Sequence, residues 1–321
     1  MNGAIEMKRH KRMIDTIVQG DCIDVLKELP DGIINTVVTS PPYYGLRDYG
    51  VNGQIGLEET PEAYVAKLVE VFREVMRVLR DDGTVWLNLG DSYAGSGGAG
   101  NQFGQLEKDG FNSYKQSGKP KNIGLKPKDL IGIPWRVAFA LQADGWWLRQ
   151  DIIWHKPNPM PESVTDRCTK SHEYIFLLSK SQKYYFDNDA IKEDACQDST
   201  LRNRDETKLN NTPGRTKMSG LVKNDYLKRN KRSVWTVTTK PFSEAHFATF
   251  PEELITPCIL AGCPEGGVVY DPFMGAGTTA LVSKKYARHY LGSELNPEYI
   301  KISEKRLSSI EESLFLLEEE A

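Results

Sequence analysis

The chain has 321 residues, a formal net charge of -3 at pH 7, and 39% hydrophobic against 26% charged residues. This length can bury a large core, enough for one α/β domain with an inserted module, and the charge excludes a uniformly basic protein, so any surface for a polyanion must be local. The 5 cysteines form no C-x-x-C pair and are odd in number, which argues against a zinc site and against a disulfide framework.

The apolar pattern favours a cytoplasmic protein without membrane segments. No apolar run approaches the roughly 20 residues that cross a bilayer. The first residues, MNGAIEMKRHKRM, carry charges without the apolar region of a signal peptide. Cysteines that neither pair nor cluster also fit a reducing compartment, and no metal is expected.

Apolar periodicity predicts alternating strands and helices along the first part of the chain. The clearest helix runs over 61–79, where apolar residues recur at helical spacing until Asp81-Asp82-Gly83 ends it. The elements predicted before residue 180 are strands over 15–18, 36–39, 84–89, 147–154 and 174–179 and helices over 24–29, 61–79 and 133–144.

The same alternation returns toward the C-terminal end of the chain. A strand over 267–270, a helix over 278–286, a strand over 289–293 and a helix from Pro297 are predicted. Alternating strands and helices are typical of a parallel sheet with helices on both faces. The predicted fold class is therefore α/β, with a doubly wound, mostly parallel sheet.

Two stretches interrupt this pattern. Residues 91–129 are rich in Gly, Ser, Asn and Lys and predict a mobile loop. Residues 192–233 are polar, and in them Arg and Lys outnumber Asp and Glu. These breaks divide the chain into 1–190, an insertion over 191–234, and 235–321.

Two short strings, each following an apolar run, predict loops at strand ends. The first is Thr39-Ser40-Pro41-Pro42-Tyr43, which offers a hydroxyl, a carbonyl in a proline-stiffened turn and an aromatic face. The second is Asp271-Pro272-Phe273-Met274-Gly275-Ala276-Gly277-Thr278-Thr279, whose glycines let the backbone close on a ligand before a helix begins. The competing interpretation of the first string is a turn that only ends a strand.

Together, and in this order, the two strings make residues 17–306 resemble the DNA amino-methyltransferases that use S-adenosylmethionine (SAM). In that family the first string is the catalytic loop and the second is the SAM-binding loop. A catalytic loop that comes first is similar to the circularly permuted β group, in which a target-recognition segment lies between the two loops. The resemblance implies a Rossmann-like methyltransferase fold, with 1–190 as the catalytic half, 191–234 as the target-recognition insertion and 235–321 as the SAM-binding half.

The catalytic loop implies how an exocyclic amine of a base becomes nucleophilic. The lone pair of such an amine is delocalised into the ring, and acceptors that draw its hydrogens out of the ring plane localise that pair. Ser40 Oγ and the Pro41 carbonyl suit this role, with Pro42 stiffening the turn. Tyr43 is expected to stack on the base once the base leaves the duplex, and positioning is expected to supply most of the rate.

The resemblance also implies which residues bind SAM. Asp271 is expected to pair with the ammonium group, the amides near Thr278 with the carboxylate, and Glu294 with both ribose hydroxyls. Asp21 matches the position that meets the adenine amine. The full expected set is Asp21, Cys22, Phe247, Thr249, Asp271, Phe273, Gly275, Gly277, Thr278 and Glu294. The competing interpretation of Asp21 and Glu294 is a carboxylate that caps a loop.

Double-stranded DNA is the expected partner, contacted by local basic residues. Trp154-His155-Lys156-Pro157-Asn158-Pro159-Met160-Pro161 resembles the W-x-K-x-N-P-x-P loop of the family, and Asn88-Leu89-Gly90-Asp91 resembles a segment beside the target base. The residues expected to contact DNA are Lys156 and Arg167 at phosphates and Arg202, Arg204, Arg215 and Lys217 in the recognition segment. For Lys156 and Arg167 a solvated salt bridge is the competing interpretation.

Ser40 favours the N4 atom of cytosine as the methyl acceptor. Serine in the first position of the tetrapeptide is commoner in the N4-cytosine group, whereas Asp or Asn is commoner in N6-adenine enzymes, and the flank Tyr44-Gly45-Leu46-Arg47-Asp48-Tyr49-Gly50 is also similar to N4-cytosine members. N6-adenine is the alternative, because all three side chains can accept hydrogen bonds from an amine. The resemblance also allows a cognate restriction endonuclease and a homodimer.

Other classes of protein account for fewer of these residues. A C5-cytosine methyltransferase needs a cysteine nucleophile, but Cys258 lies in a helical stretch over 252–261. A NAD-binding domain would need a third glycine in G-x-G-x-x-G, where Ala280 stands. RNA and protein methyltransferases leave the basic insertion poorly explained. A DNA-binding module that has lost catalysis stays open, and incubation with labelled SAM and DNA would separate it from an enzyme.

Overall fold

The structure, a computed structural model, describes residues 13–46, 48–95, 124–194, 228–239 and 250–319. Its helices are α1 (Cys22–Glu28), α2 (Pro61–Val78), α3 (Ile133–Ala143), α4 (Glu252–Gly262), α5 (Thr278–Lys285) and α6 (Pro297–Glu319), with a 3-10 helix at Asp189–Ile191. Its strands are β1 (Thr16–Gln19), β2 (Ile34–Thr39), β3 (Leu79–Leu89), β4 (Trp147–His155), β5 (His172–Ser179), β6 (Glu193–Asp194), β7 (Lys228–Arg229), β8 (Val234–Thr236), β9 (Val268–Asp271) and β10 (His289–Glu294).

An 8-stranded sheet has the order β1-β10-β9-β2-β3-β5-β4-β8. β5 runs antiparallel to both of its neighbours, and the other neighbouring pairs are parallel. This confirms the predicted α/β class with a mostly parallel sheet. β6 and β7 form a separate antiparallel pair.

The N-terminal and C-terminal parts of the chain meet in this sheet. Val18 of β1 is in register with Ser293 of β10, and Val37 of β2 with Tyr270 of β9. From β9 the chain passes through α5 to β10 on one side, and from β2 it passes through α2 to β3 on the other. Ligands of doubly wound sheets bind where the direction of winding reverses, at the carboxyl ends of the strands. Here that point lies between β9 and β2.

Helices cover both faces of the sheet, because successive side chains of a strand point to opposite faces. Val37 packs in the cluster formed with α1, α2 and α3, whereas Val38 packs with Ile259 of α4 and Val282 of α5. None of the helices in the described ranges combines the length and the apolar character that a bilayer crossing requires.

The helix predicted over 61–79 ends one residue earlier, and the chain enters β3 at once. Leu79 is fully buried and in register with Ile34 of β2, and the register shift beyond this pair leaves the next residues in a bulge. A Cβ on Gly83 would lie 2.5 Å from Leu79 Cγ, so glycine makes room for that packing. The prediction that Asp81-Asp82-Gly83 ends the helix is therefore wrong, because burial of Leu79 starts the strand before them.

The two irregular stretches are described in part. The ends of the predicted loop over 91–129 are joined by a hydrogen bond of 2.8 Å from the Ala94 amide to the Asp129 carbonyl. Residues 96–123, and residues 195–227 of the predicted recognition insertion, lie outside the described residues. After that insertion, β8 adds to the sheet beside β4.

Candidate active site

A cavity of about 400 Å³ opens at the carboxyl ends of the central strands, where β2 and β9 lie side by side. This volume is typical of sites that enclose a small molecule. The predicted site residues that line it are Asp21, Cys22, Ser40, Pro41, Pro42, Tyr43, Lys156, Phe273, Gly275, Thr278 and Glu294. The two predicted loops therefore share one cavity.

Other predicted residues lie elsewhere. Asp271, Gly277 and Arg167 belong to the described part of the chain but do not line the cavity. Phe247, Thr249, Arg202, Arg204, Arg215 and Lys217 lie outside the described residues, and their roles stay predictions.

The catalytic loop leaves β2 and is held from α2. Pro41 is buried, and the Pro42 carbonyl accepts a hydrogen bond of 2.8 Å from Tyr64 Oη. Each proline fixes its φ at about −65°, so the backbone after Ser40 has little freedom. Ser40 Oγ is thereby held at the cavity wall, 3.4 Å from Tyr43 Oη.

Tyr43 is held by its ring and by its hydroxyl. Oη lies 2.7 Å from Glu173 Oε2 and 3.1 Å from Asn88 Oδ1. A Cβ on Gly90 would lie 2.5 Å from Tyr43 Cε2, so the ring packs where any other residue would have a side chain. Burial, and then the Glu173 charge, raise the pKa of Tyr43 well above its usual range, so the hydroxyl stays protonated. Stacking on an extruded base stays a prediction.

The two glycines of the cofactor loop differ in what they make room for. Both have positive φ, 54° at Gly275 and 77° at Gly277, which other residues rarely adopt. A Cβ on Gly275 would meet nothing closer than the Phe273 carbonyl at 3.8 Å, so the backbone is open at the cavity wall. A Cβ on Gly277 would lie 2.5 Å from Ser303 Cβ of α6. The packing of α6 is therefore what requires glycine at residue 277, and contact of Gly277 with the cofactor stays a prediction.

Glu294 ends β10 and closes the cofactor loop. Its Oε2 accepts a hydrogen bond from the Gly275 amide and its Oε1 accepts one from the Asn296 amide, each with a length of 2.8 Å. Burial raises the pKa of Glu294, and the backbone amides act in the opposite direction. A carboxylate fixed in this way keeps lone pairs for further hydroxyl donors. Its contact with ribose stays a prediction that this geometry supports.

Asp271 lies behind the cavity wall and is only 1% exposed. Its Oδ1 accepts from Thr39 Oγ1 at 2.6 Å and from the Phe273 amide at 3.0 Å. Its Oδ2 accepts from Thr279 Oγ1 at 2.7 Å. Because the side chain is buried and does not line the cavity, this geometry does not support the pairing of Asp271 with the ammonium group, which stays a prediction. Asp271 links the end of β2 to the first turn of α5.

Asp21 and Cys22 meet the cavity at the start of α1. Asp21 Oδ1 accepts the Ile23 amide at 2.9 Å and caps the helix, which is the competing interpretation of this carboxylate. Burial, and then the charge of Asp21, raise the pKa of Cys22 to about 12, so its thiol is neutral. Both residues still line the cavity, and their contact with the adenine ring of SAM stays a prediction.

The two cations predicted to bind phosphate are engaged inside the protein. Lys156 Nζ donates to Glu173 Oε1 and lies 4.2 Å from the centre of the Trp154 ring, at the cavity wall. This ion pair agrees with the salt-bridge interpretation of Lys156, and its contact with phosphate stays a prediction. Arg167 is paired with Glu162, as the salt-bridge interpretation expects, and its contact with DNA stays a prediction.

Glu173 and Arg306 are site residues that the sequence did not reveal. Glu173 is the second residue of β5, and it lies at the carboxyl ends of β3 and β4 because β5 is antiparallel to both. A carboxylate at the start of an otherwise apolar strand was the only signal. Arg306 Nη1 of α6 donates to the Ala276 carbonyl at 2.5 Å and to Thr278 Oγ1 at 3.1 Å, which fixes the cofactor loop from behind. An arginine in a polar helix gives no such signal.

The cavity wall suits the chemical parts of SAM. The open backbone at Gly275 and the start of α5 at Thr278 suit a carboxylate, Glu294 suits hydroxyl donors, and Phe273 adds an apolar surface. A doubly wound sheet with a glycine loop after β9 and a carboxylate at the end of β10 is the arrangement expected for this cofactor. The fold and the site define a SAM-dependent methyltransferase.

Comparison with known proteins gives the family. The N6/N4 methyltransferase family, described as DNA methylase, matches residues 34–305, and the chain belongs to it. The chain is 49% identical over 292 residues to the type II methyltransferase M.Cfr9I of Citrobacter freundii. The aligned residues make up 91% of this chain and 87% of that protein. It is thus a SAM-dependent DNA amino-methyltransferase of the N4/N6 type, as the resemblance predicted.

Solved structures share the fold. The chain is similar to the PvuII DNA methyltransferase (cytosine-N4-specific), with a TM-score of 0.62, 18% identity, and coverage of 91% of this chain and 85% of that one. It is also similar to a putative DNA modification methylase from Thermus thermophilus complexed with SAM, with a TM-score of 0.55, 23% identity, and coverage of 91% and 93%. At these identities the likeness establishes the fold.

Proposed function

We propose that this protein methylates the N4 atom of cytosine within a specific sequence of double-stranded DNA, after extruding that base from the duplex. One observation carries the proposal: Ser40 and Tyr43 of the catalytic loop and Gly275 and Glu294 of the cofactor site line the same cavity. A base that enters from the duplex would therefore meet hydrogen-bond acceptors and the methyl donor together, which is the positioning that methyl transfer needs.

SAM supplies a methyl group on a sulfonium that is already a good leaving group. The protein holds the amine in place and localises its lone pair on the nitrogen. Ser40 Oγ and the Pro41 carbonyl would accept the two amine hydrogens, and the rigid backbone at Pro41 and Pro42 would keep those acceptors in place. Tyr43 and Trp154, both at the cavity wall, would enclose the base between aromatic surfaces.

The choice of cytosine rests on Ser40. Serine at this position and the flank that follows it resemble the N4-cytosine group, and a neutral hydroxyl can accept from the amine without adding charge to the site. The N4-specific PvuII enzyme shares the fold, which by itself leaves the target base undecided. N6-adenine is the alternative that the experiment below separates.

We assign target recognition to 191–234, between a catalytic half over 1–190 and a SAM-binding half over 235–321. The proposed contacts with DNA are Arg167 and the basic residues of the insertion, Arg202, Arg204, Arg215 and Lys217. Excess positive charge there would fix the register of the protein on the phosphate backbone. A cognate restriction endonuclease, a homodimer and a cytoplasmic location complete the proposal, in keeping with a type II relative.

The test is to identify the modified nucleoside. Plasmid DNA methylated by the purified protein with SAM is digested to nucleosides and analysed by mass spectrometry. We expect N4-methyldeoxycytidine, and much less of it after the same short incubation with the Ser40→Ala variant. N6-methyldeoxyadenosine would overturn the choice of base, and unmodified DNA from the unaltered protein would overturn the activity.

A further inference from the structure

Glu173 is the carboxylate of the cavity that is joined to the catalytic loop. We infer that it is the final acceptor of the proton released in methyl transfer, reached from Ser40 through the hydroxyl of Tyr43. The inference rests on the proposed function and extends it to a step that the catalytic loop cannot complete alone. The amine nitrogen gains a carbon and must lose a proton, and a closed site needs a group to take it.

The hydrogen bonds form a continuous route. Ser40 Oγ lies 3.4 Å from Tyr43 Oη, which lies 2.7 Å from Glu173 Oε2. Tyr43 Oη has one hydrogen, and the shorter bond to a carboxylate is stronger than the bond of 3.1 Å to the neutral amide oxygen of Asn88. Tyr43 therefore donates to Glu173 and accepts from Ser40. Catalytic hydrogen bonds are often long before substrate binds. We therefore expect the distance between Ser40 Oγ and Tyr43 Oη to shorten when the base enters the cavity.

The other carboxylates at the cavity wall have hydrogen-bond partners outside the catalytic loop. Asp21 caps α1 through the Ile23 amide, and Glu294 accepts backbone amides on both of its oxygens in the cofactor site. Among the described residues that line the cavity, Glu173 is the carboxylate that is hydrogen-bonded to Tyr43. Only the route to Glu173 thus begins at the loop that holds the amine.

Three side chains keep Glu173 in this position. Lys156 Nζ donates to Oε1, while Tyr43 Oη and Asn88 Nδ2, the latter at 3.3 Å, donate to Oε2. The side chain of Glu173 is 15% exposed and that of Lys156 19% exposed. Partial burial of this ion pair strengthens its electrostatic effect on the cavity. The part of Glu173 that is exposed lets the proton pass to solvent afterward. Because burial raises the pKa of Tyr43, its hydroxyl must gain the Ser40 proton as it gives up its own, and no tyrosinate forms.

The step balances in atoms and charge. As the nitrogen lone pair forms the bond to the methyl carbon, the carbon–sulfur bond breaks and its electrons pass to sulfur. Ser40 Oγ takes one amine proton and gives its own to Tyr43 Oη, which gives its own to Glu173 Oε2. One positive charge at sulfur and one negative charge at Glu173 disappear together. The neutral carboxylic acid then loses its proton to solvent and the site is restored.

Two substitutions interrupt the route while leaving the loop in place. Tyr43→Phe keeps the ring that would stack on the base and removes the hydroxyl, and Glu173→Gln keeps the shape and removes the charge. We expect each to lower the single-turnover methylation rate by about 100-fold, the size typical of lost proton transfer. The double variant should lose little more than either single variant, since both act on one route. The rate of the unaltered protein should fall in heavy water, and that of Tyr43→Phe should not.

Readouts other than activity separate this role from a structural one. Affinity for SAM by calorimetry, and the fluorescence of 2-aminopurine placed at the target position, should match those of the unaltered protein in both variants. Tyr44→Phe is the matched control, because Tyr44 is buried beside Tyr43 with its hydroxyl 3.3 Å from the Glu59 carbonyl, outside the route. That control should methylate at the normal rate.

Two outcomes would overturn the relay, provided that the unaltered protein methylates DNA. One is a normal single-turnover rate in Tyr43→Phe, and the other is a fold-loss of rate in the double variant equal to the product of the two single fold-losses. Reduced SAM affinity or reduced 2-aminopurine fluorescence in parallel with the rate would also overturn it, in favour of a purely structural role. An unaltered protein that labels no DNA would instead refute the proposed function itself. The two failures are therefore distinguishable.

Discussion

Ser40, which we propose holds the target amine, lies on a loop that is separate from the cofactor loop. It follows β2, whereas Gly275 and Glu294 follow β9 and β10, and the three meet only at the cavity. Loss of the hydroxyl should therefore affect the chemical step and leave the cofactor site intact.

For Ser40→Ala we expect methylation to slow by about 100-fold, the contribution of one positioned hydrogen-bonding group. Affinity for SAM, measured by calorimetry without DNA, should stay within about twofold of the unaltered protein, because Ser40 is expected to touch the base rather than the cofactor. Equal loss of rate and of SAM affinity would show that the loop has a structural role.

Asp271 links the catalytic and cofactor loops, and its environment gives a stability prediction. Burial raises the pKa of Asp271 from 3.8 to about 6, against the hydrogen bonds from Thr39 and Thr279. A raised pKa means that the folded state binds the proton more tightly than the unfolded state. The stabilisation from this proton is complete below the unfolded pKa and is lost as the pH rises through the folded pKa.

Asp271→Asn removes this titration. The free energy of unfolding of the unaltered protein, minus that of the variant, should be larger at about pH 4 than at about pH 7, by roughly 2 to 3 kcal/mol. Urea denaturation followed by circular dichroism at both pH values measures the difference. A difference that is constant with pH, or that grows toward neutral pH, would contradict a buried carboxyl group that prefers its proton.

At the scale of the element, the start of α5 depends on two glycines with different neighbours. For Gly277→Ala we expect a loss of about 2 to 4 kcal/mol in stability, because the new Cβ would meet Ser303 Cβ at 2.5 Å. Gly275→Ala adds a Cβ in open space and should cost only about 1 kcal/mol, from its left-handed backbone.

For affinity for SAM we expect the opposite order, with Gly275→Ala impaired more than Gly277→Ala. Gly275→Ala places its methyl group at the cavity wall and should weaken SAM binding in a protein that is still well folded, as calorimetry and thermal denaturation would show together. Each variant serves as the control for the other. Equal stability of the two variants would mean that contact with α6 is not what requires glycine at residue 277.

At the scale of the whole molecule, the sheet makes the two halves of the chain interdependent. β1 pairs with β10, β2 with β9, β4 with β8 and β6 with β7, so in a fragment of residues 1–194 four strands would each lack a neighbour. We expect neither 1–194 nor 195–321 to unfold cooperatively alone, because each would expose strand edges and apolar faces. Mixing and refolding the two fragments should restore SAM binding. A cooperative thermal transition in isolated 1–194 would show instead that the catalytic half is an independent domain.

Local patterns predicted much of this fold from the sequence. The strand that carries Val37 and Val38, the helix from Pro61, and the loops at Ser40 and Gly275 all follow from periodicity, proline and glycine. The end of α2 was misplaced because burial of Leu79 outweighs a local turn signal.

The fold class and the order of the two loops could be read from the amino-acid sequence, because these depend on neighbours along the chain. The hydrogen bonds from Thr39 to Asp271 and from Tyr43 to Glu173, 130 residues away, became visible only in the folded protein. Hydrogen-bond partners depend on which strand ends become neighbours in the sheet, and that order differs from the order of the chain.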